Sequence, residues 1–433
     1  GASIVVIGQK KATISDVDGN FTLPDVATGT TITISYVGYK TQTVVWNGKD
    51  LSITLHEDAE SLEDVVVVGY GTQKKVNLTG AVSVVSKKTL ESRAVTSVAQ
   101  ALQGAVPGLN FTVGNGGGSL DRRMSMNIRG TGTIDEGSNA SPLVLIDGTE
   151  GDLYSLAPND IESISVLKDA SASAIYGSRA AFGVILVTTK SGKDGRASIS
   201  YNGNMRFSTA TQVPEMPNSY DFARYWNDAA ANNGEGAPFN EEIMKKIQDN
   251  INGTLKEEDK GLTKWQGYAA NEPWAMYTGS WANTDWFKEM YKSNVPSQEH
   301  NVSISGGVKN INYYVSGTWL NQHGLIRHGK DVLNKYNFTT KVNADVTKWL
   351  SISYSNKWNR EAFSRPSYMT GLFFHNIARR WPTNPVYDPH GHYVHGNEII
   401  QMEDGGLDKT TTDKLFQQLV FEFKPLAGWK IRL

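Results

Sequence analysis

Residues 142–193 read PLVLIDGTEGDLYSLAPNDIESISVLKDASASAIYGSRAAFGVILVTTKSGK, and this stretch decides the fold. Leu143 to Ile146 form a short apolar run that ends at the turn pair Asp147-Gly148, which predicts a buried strand. A second apolar stretch covers residues 161–167, and Gly183 to Thr189 is dense in the β-branched residues that favour strands. Three strands in so short a segment predict a small domain with a sheet at its centre.

A short helix is expected between the second and third of these strands. Asp169 is expected to cap its first turn, Ala170 to Tyr176 to form its body, and Gly177 to end it. The segment therefore predicts an α+β domain, and nothing within the segment alone assigns that domain a purpose.

From Ala197 onward the sequence alternates between apolar and polar residues. Because successive side chains of a strand point to opposite faces, each alternating segment predicts one apolar and one polar face. The apolar set includes Ala197, Ile199, Tyr201, Met205, Phe207, Ile311, Tyr313, Val315, Trp319, Tyr336, Phe338 and Val342. The opposing polar set includes Asn202, Asn204, Arg206, Asn312, Tyr314, Ser316, Thr318, Asn337, Thr339, Lys341 and Asn343. These segments approach the ~9–11 residues with which a tilted strand crosses a bilayer.

The connections between the predicted strands alternate in length. Short turns are expected at residues 306–310, 347–349 and 425–428, and long segments at residues 208–297, 321–334 and 359–413. This alternation is typical of a membrane β-barrel, whose turns lie on one side of the membrane and whose loops lie on the other. Aromatic residues near strand ends, such as Trp319, Trp349 and Trp358, resemble an interfacial girdle. We therefore favour a transmembrane barrel over a soluble sandwich.

Composition excludes several classes of protein. The 433 residues carry a net charge of −2, which argues against a nucleic-acid partner because such proteins usually present a basic face. Cysteine is absent, so neither disulfides nor thiolate metal sites are expected. No apolar run approaches the ~20 residues of a membrane helix, so only a closed sheet is expected to span a bilayer. No nucleophile–base pair or metal constellation stands out, which disfavours an enzyme.

The start of the chain predicts a separate β-sandwich. Short strand candidates recur at close spacing between turn residues, at residues 4–7, 12–15, 21–23, 31–37, 41–46 and 52–55. The segment HEDAESLEDVVVVGYGTQKK follows, with an acidic start, four valines and a basic end. The valines are either one more buried strand or a tether that adds itself as a strand to a partner's sheet. The sequence leaves these two alternatives nearly balanced.

Several motifs in order carry a resemblance to a known family. They are DVVVVGYGTQKK, LQGAVPGLNF, MNIRGTGTI, VLIDG and VLKDASASAIYGSRAAFGVILVTTK. The chain resembles, over essentially its whole length, the SusC/RagA-like TonB-dependent outer-membrane transporters. The resemblance implies a mainly β protein with four parts: a carboxypeptidase-regulatory-like β-sandwich (1–57), a linker with a TonB box (58–75), an α+β plug domain (76–193) and strands of an antiparallel transmembrane barrel (194–433).

The same resemblance implies active import of oligosaccharides across the bacterial outer membrane. The family precedent gives TonB and a SusD-like surface lipoprotein as partners, outer-membrane lipid around the barrel, and the N-terminal domain in the periplasm. Work would come from the inner-membrane proton gradient, so neither a catalytic residue nor a cofactor is expected. Import of oligopeptides, or a surface receptor without transport, remain the alternatives.

Site residues follow from the resemblance and from residue type. The TonB-contacting residues are expected to be Asp64, Val65, Val66, Val67, Val68, Gly69 and Tyr70. Arg129 and Glu162 are expected to tie the plug to the barrel wall, with ordinary pairing inside the plug as the alternative. Asn115, Trp274 and Trp381 are the expected substrate contacts, although aromatic residues of loops more often pack within their own loop. His390, His392 and His395 lack a clear fourth ligand, which argues against a metal site.

Seven strand candidates follow Arg196. They begin near Ala197, Asn301, Ile311, Tyr336, Leu350, Leu415 and Trp429. Plugged transporter barrels have about 22 strands. An open sheet of seven strands would leave unpaired edges in lipid, so the chain is expected to be part of a longer protein.

Overall fold

The computed structural model describes residues 2–8, 11–16, 19–36, 39, 41–55, 65–68, 71–74, 82–93, 95–113, 119–120, 123–130, 141–169, 174–256, 259, 279–387, 393–394, 398–426 and 428–433. The chain forms two compact units, Gly1–Val82 and Ser83–Leu433. None of the helices within these described residues is long and apolar enough to cross a membrane.

The first unit contains a four-stranded antiparallel sheet. Its strands are β1 (Ser3–Val6), β2 (Ala12–Ile14), β3 (Thr31–Ser35) and β4 (Gln42–Val45), in the order β2-β1-β3-β4. Alternate residues of β1 and β3 bury Ile4, Ile32 and Ile34 on one face. The side chains of Phe21, Leu23, Ile53 and Leu55 cover that face.

The strands expected at residues 21–23 and 52–55 are absent from these described segments. Both segments cover the sheet through their side chains without joining a backbone ladder. Pro24 has no N–H to give to a ladder, and the carbonyl of Thr54 accepts from the side chain of Gln42 at 2.8 Å. Apolar side chains rather than paired strands therefore form the second layer.

The valine segment forms a β-hairpin in the same unit. Strand β5 (Val65–Val68) pairs antiparallel with β6 (Gly71–Lys74), with Val65 opposite Lys74 and Val68 opposite Gly71. The extended conformation agrees with both alternatives that the sequence left open.

The chain from Val82 to Lys193 is called the plug here, and all of it except Val82 belongs to the second unit. Its strands are β7 (Val82–Ser86), β8 (Leu109–Thr112), β9 (Ser125–Ile128), β10 (Leu143–Ile146), β11 (Thr149–Glu150), β12 (Ile161–Leu167) and β13 (Val184–Thr189). A five-stranded sheet has the order β11-β10-β13-β12-β7, and β8 pairs with β9. Helices cover Lys87–Glu91 and Val98–Leu102, and 3₁₀ helices cover Leu153–Ser155, Pro158–Asp160 and Ala174–Ala180.

The three strands predicted from residues 142–193 are confirmed as β10, β12 and β13. Strand β13 runs parallel to β10 and antiparallel to β12, and Ile161, Ile164 and Ile185 are fully buried in the core. In place of the predicted α-helix, residues 174–180 form two short 3₁₀ segments that meet at Gly177, so this glycine interrupts the helical backbone where the sequence predicted its end. Residues 170–173 lie outside the described residues. Gly177 has φ 66°, which α-helical geometry does not allow, so the segment kinks at this residue.

The remainder of the second unit is an antiparallel sheet of seven strands, called the wall. Its strands are β14 (Gly195–Ser208), β15 (Val295–Val308), β16 (Ile311–His323), β17 (Val332–Asp345), β18 (Leu350–Pro366), β19 (Leu407–Phe423) and β20 (Ile431–Arg432). Neighbours in sequence are neighbours in the sheet throughout. This arrangement confirms the predicted seven strands and the barrel part of the fold.

The two faces of the wall have opposite character, as the alternation predicted. Large apolar side chains on the outward face are open, and Ile199 and Met205 are 73% and 67% exposed. Polar side chains on the inward face are buried, and Glu299 and Lys335 are 3% and 6% exposed. A soluble sheet would bury its apolar face, whereas a transmembrane barrel wall presents that face to lipid.

Connections at the two ends of the wall differ in length. The short-turn end carries residues 309–310, 346–349 and 424–430, and the long-loop end carries residues 209–294, 324–331 and 367–406. Helices in the long connections cover Ser219–Asn232, Glu241–Ile251, Trp286–Met290, Gly371–Arg379 and Glu398–Glu403.

The long connections pack against one another. Trp286, Ile326 and Phe373 come from the three different connections and share one buried apolar cluster. The ring nitrogens of His328 lie 2.9 Å from Glu403 Oε1 and 3.2 Å from Glu289 Oε1, which joins the same three connections. The hydrogen bond from His328 is the main cause that lowers the pKa of Glu403 below its ordinary value.

Candidate functional site

The main polar contact between plug and wall centres on Asp147. This residue occupies the two-residue turn between β10 and β11, where Asp147 and Gly148 have φ 50° and 90°. Oδ2 lies 2.5 Å from Nζ of Lys357, and Oδ1 lies 3.4 Å from Nζ of Lys341. Thr189 of β13 donates to the same carboxylate from its backbone N–H at 2.9 Å and from its hydroxyl at 2.6 Å.

Asp147 is held ionised in this buried position. Burial alone would raise its pKa, but Lys341, Lys357 and the Thr189 hydroxyl outweigh burial and bring the pKa well below its ordinary value. The two lysines lie on the inward face of adjacent strands, and Lys357 stands opposite Thr339, two residues from Lys341. Two ammonium groups of the wall, those of Lys341 and Lys357, therefore bind one carboxylate of the plug.

Asp160 forms a second anchor through neutral donors. It is the last residue of the 3₁₀ helix Pro158–Asp160, directly before β12, and it is 1% exposed. Oδ1 accepts from the hydroxyls of Tyr314 at 2.9 Å and Ser316 at 2.6 Å, and Oδ2 accepts from Thr339 at 2.9 Å. Three hydroxyls from β16 and β17 therefore solvate one buried carboxylate, which satisfies the rule that buried charge needs partners.

A third set of contacts reaches the first strands of the wall. Asn159 donates to Glu299 Oε1 at 2.9 Å, and Arg206 donates to Glu299 Oε2 at 2.6 Å. Arg206 also donates to the backbone carbonyl of Val95 in the plug at 3.0 Å. Consecutive residues Asn159 and Asp160 thus bind different strands of the wall, so a short segment of the plug is fixed at several points.

A cavity of about 440 Å³, called the vestibule, opens between plug and wall towards the long-loop end. Arg123 of the plug lies on it, with NH1 2.7 Å from Asp152 Oδ2 and NH2 3.2 Å from Glu361 Oε2 of β18. The Arg123 guanidinium also lies over the Tyr154 ring, 5.1 Å from its centre. Burial acts to raise the pKa of Asp152, but Lys414, the Tyr154 N–H and Arg123 lower it overall.

The expected plug–wall residues Arg129 and Glu162 occupy other positions. Arg129 pairs with Asp169 inside the plug, and its side chain is 55% exposed. That contact is the intradomain pairing that the sequence left as the alternative. Glu162 is an exposed residue of β12. The charged side chains seen to join plug and wall within the described residues belong instead to Arg123, Asp147, Asp152 and Asp160 on the plug side.

The expected substrate contacts fall in different places. Asn115 and Trp274 lie outside the described residues, as do His390, His392 and His395. Trp381 is half-buried among rings of the long connections, with ring centres 5.0 Å from Trp226, 5.2 Å from Phe222 and 5.9 Å from Phe239. No group of three or more His, Asp or Glu residues in the described part of the chain is arranged to hold a metal ion.

The expected TonB-contacting residues are described in part. Val65 to Val68 form β5, whereas Asp64, Gly69 and Tyr70 lie outside the described residues. Their role in binding a partner stays a prediction.

Sequence reasoning missed Asp147 as a functional residue because Asp-Gly was interpreted only as a turn signal. A signal for its role was nevertheless present. Lys341 lies on the predicted polar face of its strand, and a buried ammonium group requires an anion nearby. The turn after β10 offered one such carboxylate, that of Asp147.

Two family descriptions match the chain. The CarboxypepD_reg-like domain matches residues 1–67, and the TonB-dependent Receptor Plug Domain matches residues 74–184.

Relatives match across most of the chain. TonB-dependent receptor P26 of Formosa agariphila is 32% identical over 409 residues, which cover 92% of this chain and 36% of that protein. TonB-dependent receptor SusC of Bacteroides thetaiotaomicron is 32% identical over 407 residues, which cover 89% of this chain and 35% of that protein. The chain therefore spans about a third of the length of these curated relatives.

A solved structure shares the fold. The RagAB peptide importer in its open-open state superposes with a TM-score of 0.63 at 24% identity, which covers 85% of this chain and 41% of that chain. The shared architecture consists of a plug held against strands of a transmembrane barrel.

Proposed function

Because the chain belongs to the SusC/RagA-like TonB-dependent receptors, we propose that the complete protein imports an oligosaccharide across the bacterial outer membrane. The observation that carries the proposal is the buried network that joins the plug to the polar face of the wall. In this proposal a plug fixed by Asp147, Asp160 and Asn159 blocks the movement of a substrate along the polar face of the wall. Import then requires a force that remodels the plug.

The valine strand β5 is the proposed point at which force enters. An extended segment can add itself to the sheet edge of a partner, with backbone hydrogen bonds providing the affinity. In this proposal Val65 to Val68 leave the hairpin, and residues 64–70 pair with TonB in the periplasm and transmit a pull to the plug. The short-turn end of the wall then faces the periplasm and the long-loop end faces the cell exterior.

The long-loop end is the proposed seat of a SusD-like lipoprotein. Its three connections share an apolar core and the His328 contacts, so they present one packed surface rather than separate loops. A lid on this surface would cover the entrance to the vestibule and co-bind substrate. Residues Asn115, Trp274 and Trp381 remain the proposed substrate contacts of the sequence analysis.

Oligopeptides are the second candidate substrate. The vestibule combines apolar side chains such as Leu333 and Phe363 with the ion pair between Arg365 and Asp408, whose N–O distance is 3.1 Å. Apolar and charged groups of both signs suit a peptide as well as a glycan. Transport of either substrate distinguishes the protein from a surface receptor that binds without import.

Uptake of a labelled oligosaccharide by cells that carry the complete receptor tests the proposal. Deletion of residues 64–70 is expected to abolish uptake while surface binding of the label persists. A receptor with alanines at Glu235 and Gly236, in a long connection, provides the control for expression and assembly. Unchanged uptake after the deletion would overturn the TonB-dependent mechanism.

A further inference from the structure

The geometry points to Arg123 as the residue that binds a carboxylate of the imported ligand, so the vestibule selects an anionic oligomer. This inference rests on the proposed import function and deepens it. The same contact would couple ligand binding to plug release, because Arg123 joins the plug to the wall.

Arg123 is accessible from the vestibule. Its side chain is 44% exposed, whereas its wall partner Glu361 is 21% exposed. The guanidinium is planar and carries five donors in a fixed fork, which suits a bidentate contact with a carboxylate. Tyr154 fixes the position of the neighbouring backbone, because its hydroxyl accepts from Met124 N–H at 2.9 Å and donates to the Met124 carbonyl at 3.2 Å.

The two carboxylates that now hold Arg123 each have a second cation. Glu361 Oε1 lies 3.6 Å from Nζ of Lys335, and Asp152 also pairs with Lys414. Removing one partner of a buried pair is costly when the other charge is left uncompensated. Here a ligand carboxylate can displace Glu361 from Arg123 while Lys335 continues to compensate Glu361.

The charges at this end of the vestibule favour an anion. Among the residues that the structure describes here, Arg123, Lys335 and Lys414 stand against Asp152 and Glu361, so this cluster has one more cation than carboxylates. A further pair, Arg365 with Asp408, adds no net charge. An anionic ligand would neutralise the excess charge, whereas a cationic ligand would increase it.

Displacement of Glu361 has a mechanical consequence. The Arg123–Glu361 contact is an ion pair that crosses from plug to wall on the ligand side. Losing it on ligand binding leaves the Asp152–Lys414 pair and the deeper anchors at Asp147 and Asp160 in place. The plug then loses one of its contacts on the ligand side and stays bound to the wall. Loss of the Arg123–Glu361 pair would thus signal that substrate is bound before any force acts on β5.

Isothermal titration of the complete receptor in detergent tests the inference. The probes are an oligosaccharide of uronic acids, a neutral oligosaccharide of equal length, and a tetrapeptide with a free or an amidated C-terminal carboxylate. The carboxylate member of at least one pair is expected to bind at least ten-fold more tightly than its neutral counterpart. The pair that shows the preference identifies glycan or peptide as the source of the carboxylate.

Three variants make the test specific. Arg123→Gln is expected to remove the preference, whereas Arg129→Gln, which changes a plug arginine paired with Asp169 instead, is expected to keep it. Glu361→Gln is expected to increase affinity for the carboxylate ligand several-fold, because it removes the competitor for Arg123. A purely structural role for Arg123 would not produce that gain.

Equal binding of both members in each pair, or an unchanged preference in Arg123→Gln, would overturn the inference. Should Arg123→Gln fail to assemble, a loss of affinity in Glu361→Gln would overturn it equally. A different result overturns the proposed import function, namely unchanged uptake of labelled substrate after residues 64–70 are deleted. The two failures are therefore distinguishable.

Discussion

Oδ2 of Asp147 in the plug lies 2.5 Å from Nζ of Lys357 in the wall, and both side chains are 9% exposed. The pair joins a two-residue turn to a strand that is 210 residues later in the sequence. A buried ion pair with supporting hydrogen bonds is costly to break on one side only, because the remaining charge loses its compensation. We therefore expect that replacing only one of the two residues weakens the attachment of the plug to the wall.

Replacing Asp147 with asparagine is expected to loosen the plug. The substitution leaves the ammonium groups of Lys341 and Lys357 buried without their anion, which should cost about 3–5 kcal/mol. Limited proteolysis of the plug in the refolded complete receptor, across a denaturant series, measures the loss. Asp169→Asn provides the control, since its partner Arg129 is 55% exposed and such a pair is worth about 0–1 kcal/mol. Equal protease sensitivity of the two variants would contradict the anchor role of Asp147.

The same carboxylate predicts how plug docking depends on pH. The pKa of folded Asp147 lies below its ordinary value of 3.8, so its stabilising effect is complete above that value and is lost as the pH falls towards the folded pKa. Protease resistance of the plug is therefore expected to stay level from neutral pH to about pH 5 and to fall below about pH 4. Asp147→Asn should remove this part of the acid response. An identical acid profile in the variant would exclude Asp147 as its source.

Asp160 and Glu162 form a matched pair of carboxylates two residues apart. Asp160→Ala leaves the hydroxyls of Tyr314, Ser316 and Thr339 without their acceptor and is expected to cost at least about 2 kcal/mol. Glu162→Ala changes an exposed side chain and should stay within about 0.5 kcal/mol. Denaturant unfolding of the complete receptor measures both. A larger effect at Glu162 than at Asp160 would contradict the anchor role of Asp160.

The strands of the wall could be predicted because each one depends only on the local alternation of apolar and polar residues. Faces such as Tyr336/Phe338 against Asn337/Thr339 follow from the two-residue period of a strand, and the structure confirms them. The strands over residues 143–146, 161–167 and 183–189 were equally legible, since β-branched and apolar runs favour strands wherever they lie. Both successes rest on residues close together in the chain.

The contacts between plug and wall could not be predicted in the same way. Asp147 meets Lys357 because of where the whole plug sheet lies against β17 and β18, and no local pattern fixes that placement. Arg129 and Glu162 were chosen for charge and motif, but charge alone does not specify which way a side chain points. Arg129, with φ 60°, follows β9 and pairs inside the plug. Because neighbouring residues of a strand point to opposite faces, a shift of one residue decides whether a charged side chain meets the wall or the plug.

Gly192 lies at the junction where the chain passes from plug to wall. A Cβ atom at this position would collide with the backbone of Tyr313 in β16, so Gly192→Ala is expected to displace the junction at a cost of about 1–3 kcal/mol. Gly236→Ala serves as the control, because a Cβ there meets nothing within 4 Å. Unfolding midpoints of the refolded receptor compare the two variants. A neutral Gly192→Ala would show that β16 approaches the plug less closely than the structure indicates.

Strand β5 offers a test of how force reaches the plug. If a partner binds this strand through backbone hydrogen bonds, then the backbone N–H groups matter more than residue identity. Val66→Pro removes one N–H and fixes φ, so it should abolish both uptake and binding of the periplasmic domain of TonB. Val66→Thr retains the N–H and a β-branched side chain, and it should reduce both by no more than about three-fold. Ligand binding at the cell surface should be unchanged in both variants. Equal losses in the proline and threonine variants would instead mean that the valine side chains are recognised, and strand addition would not be the mode of contact.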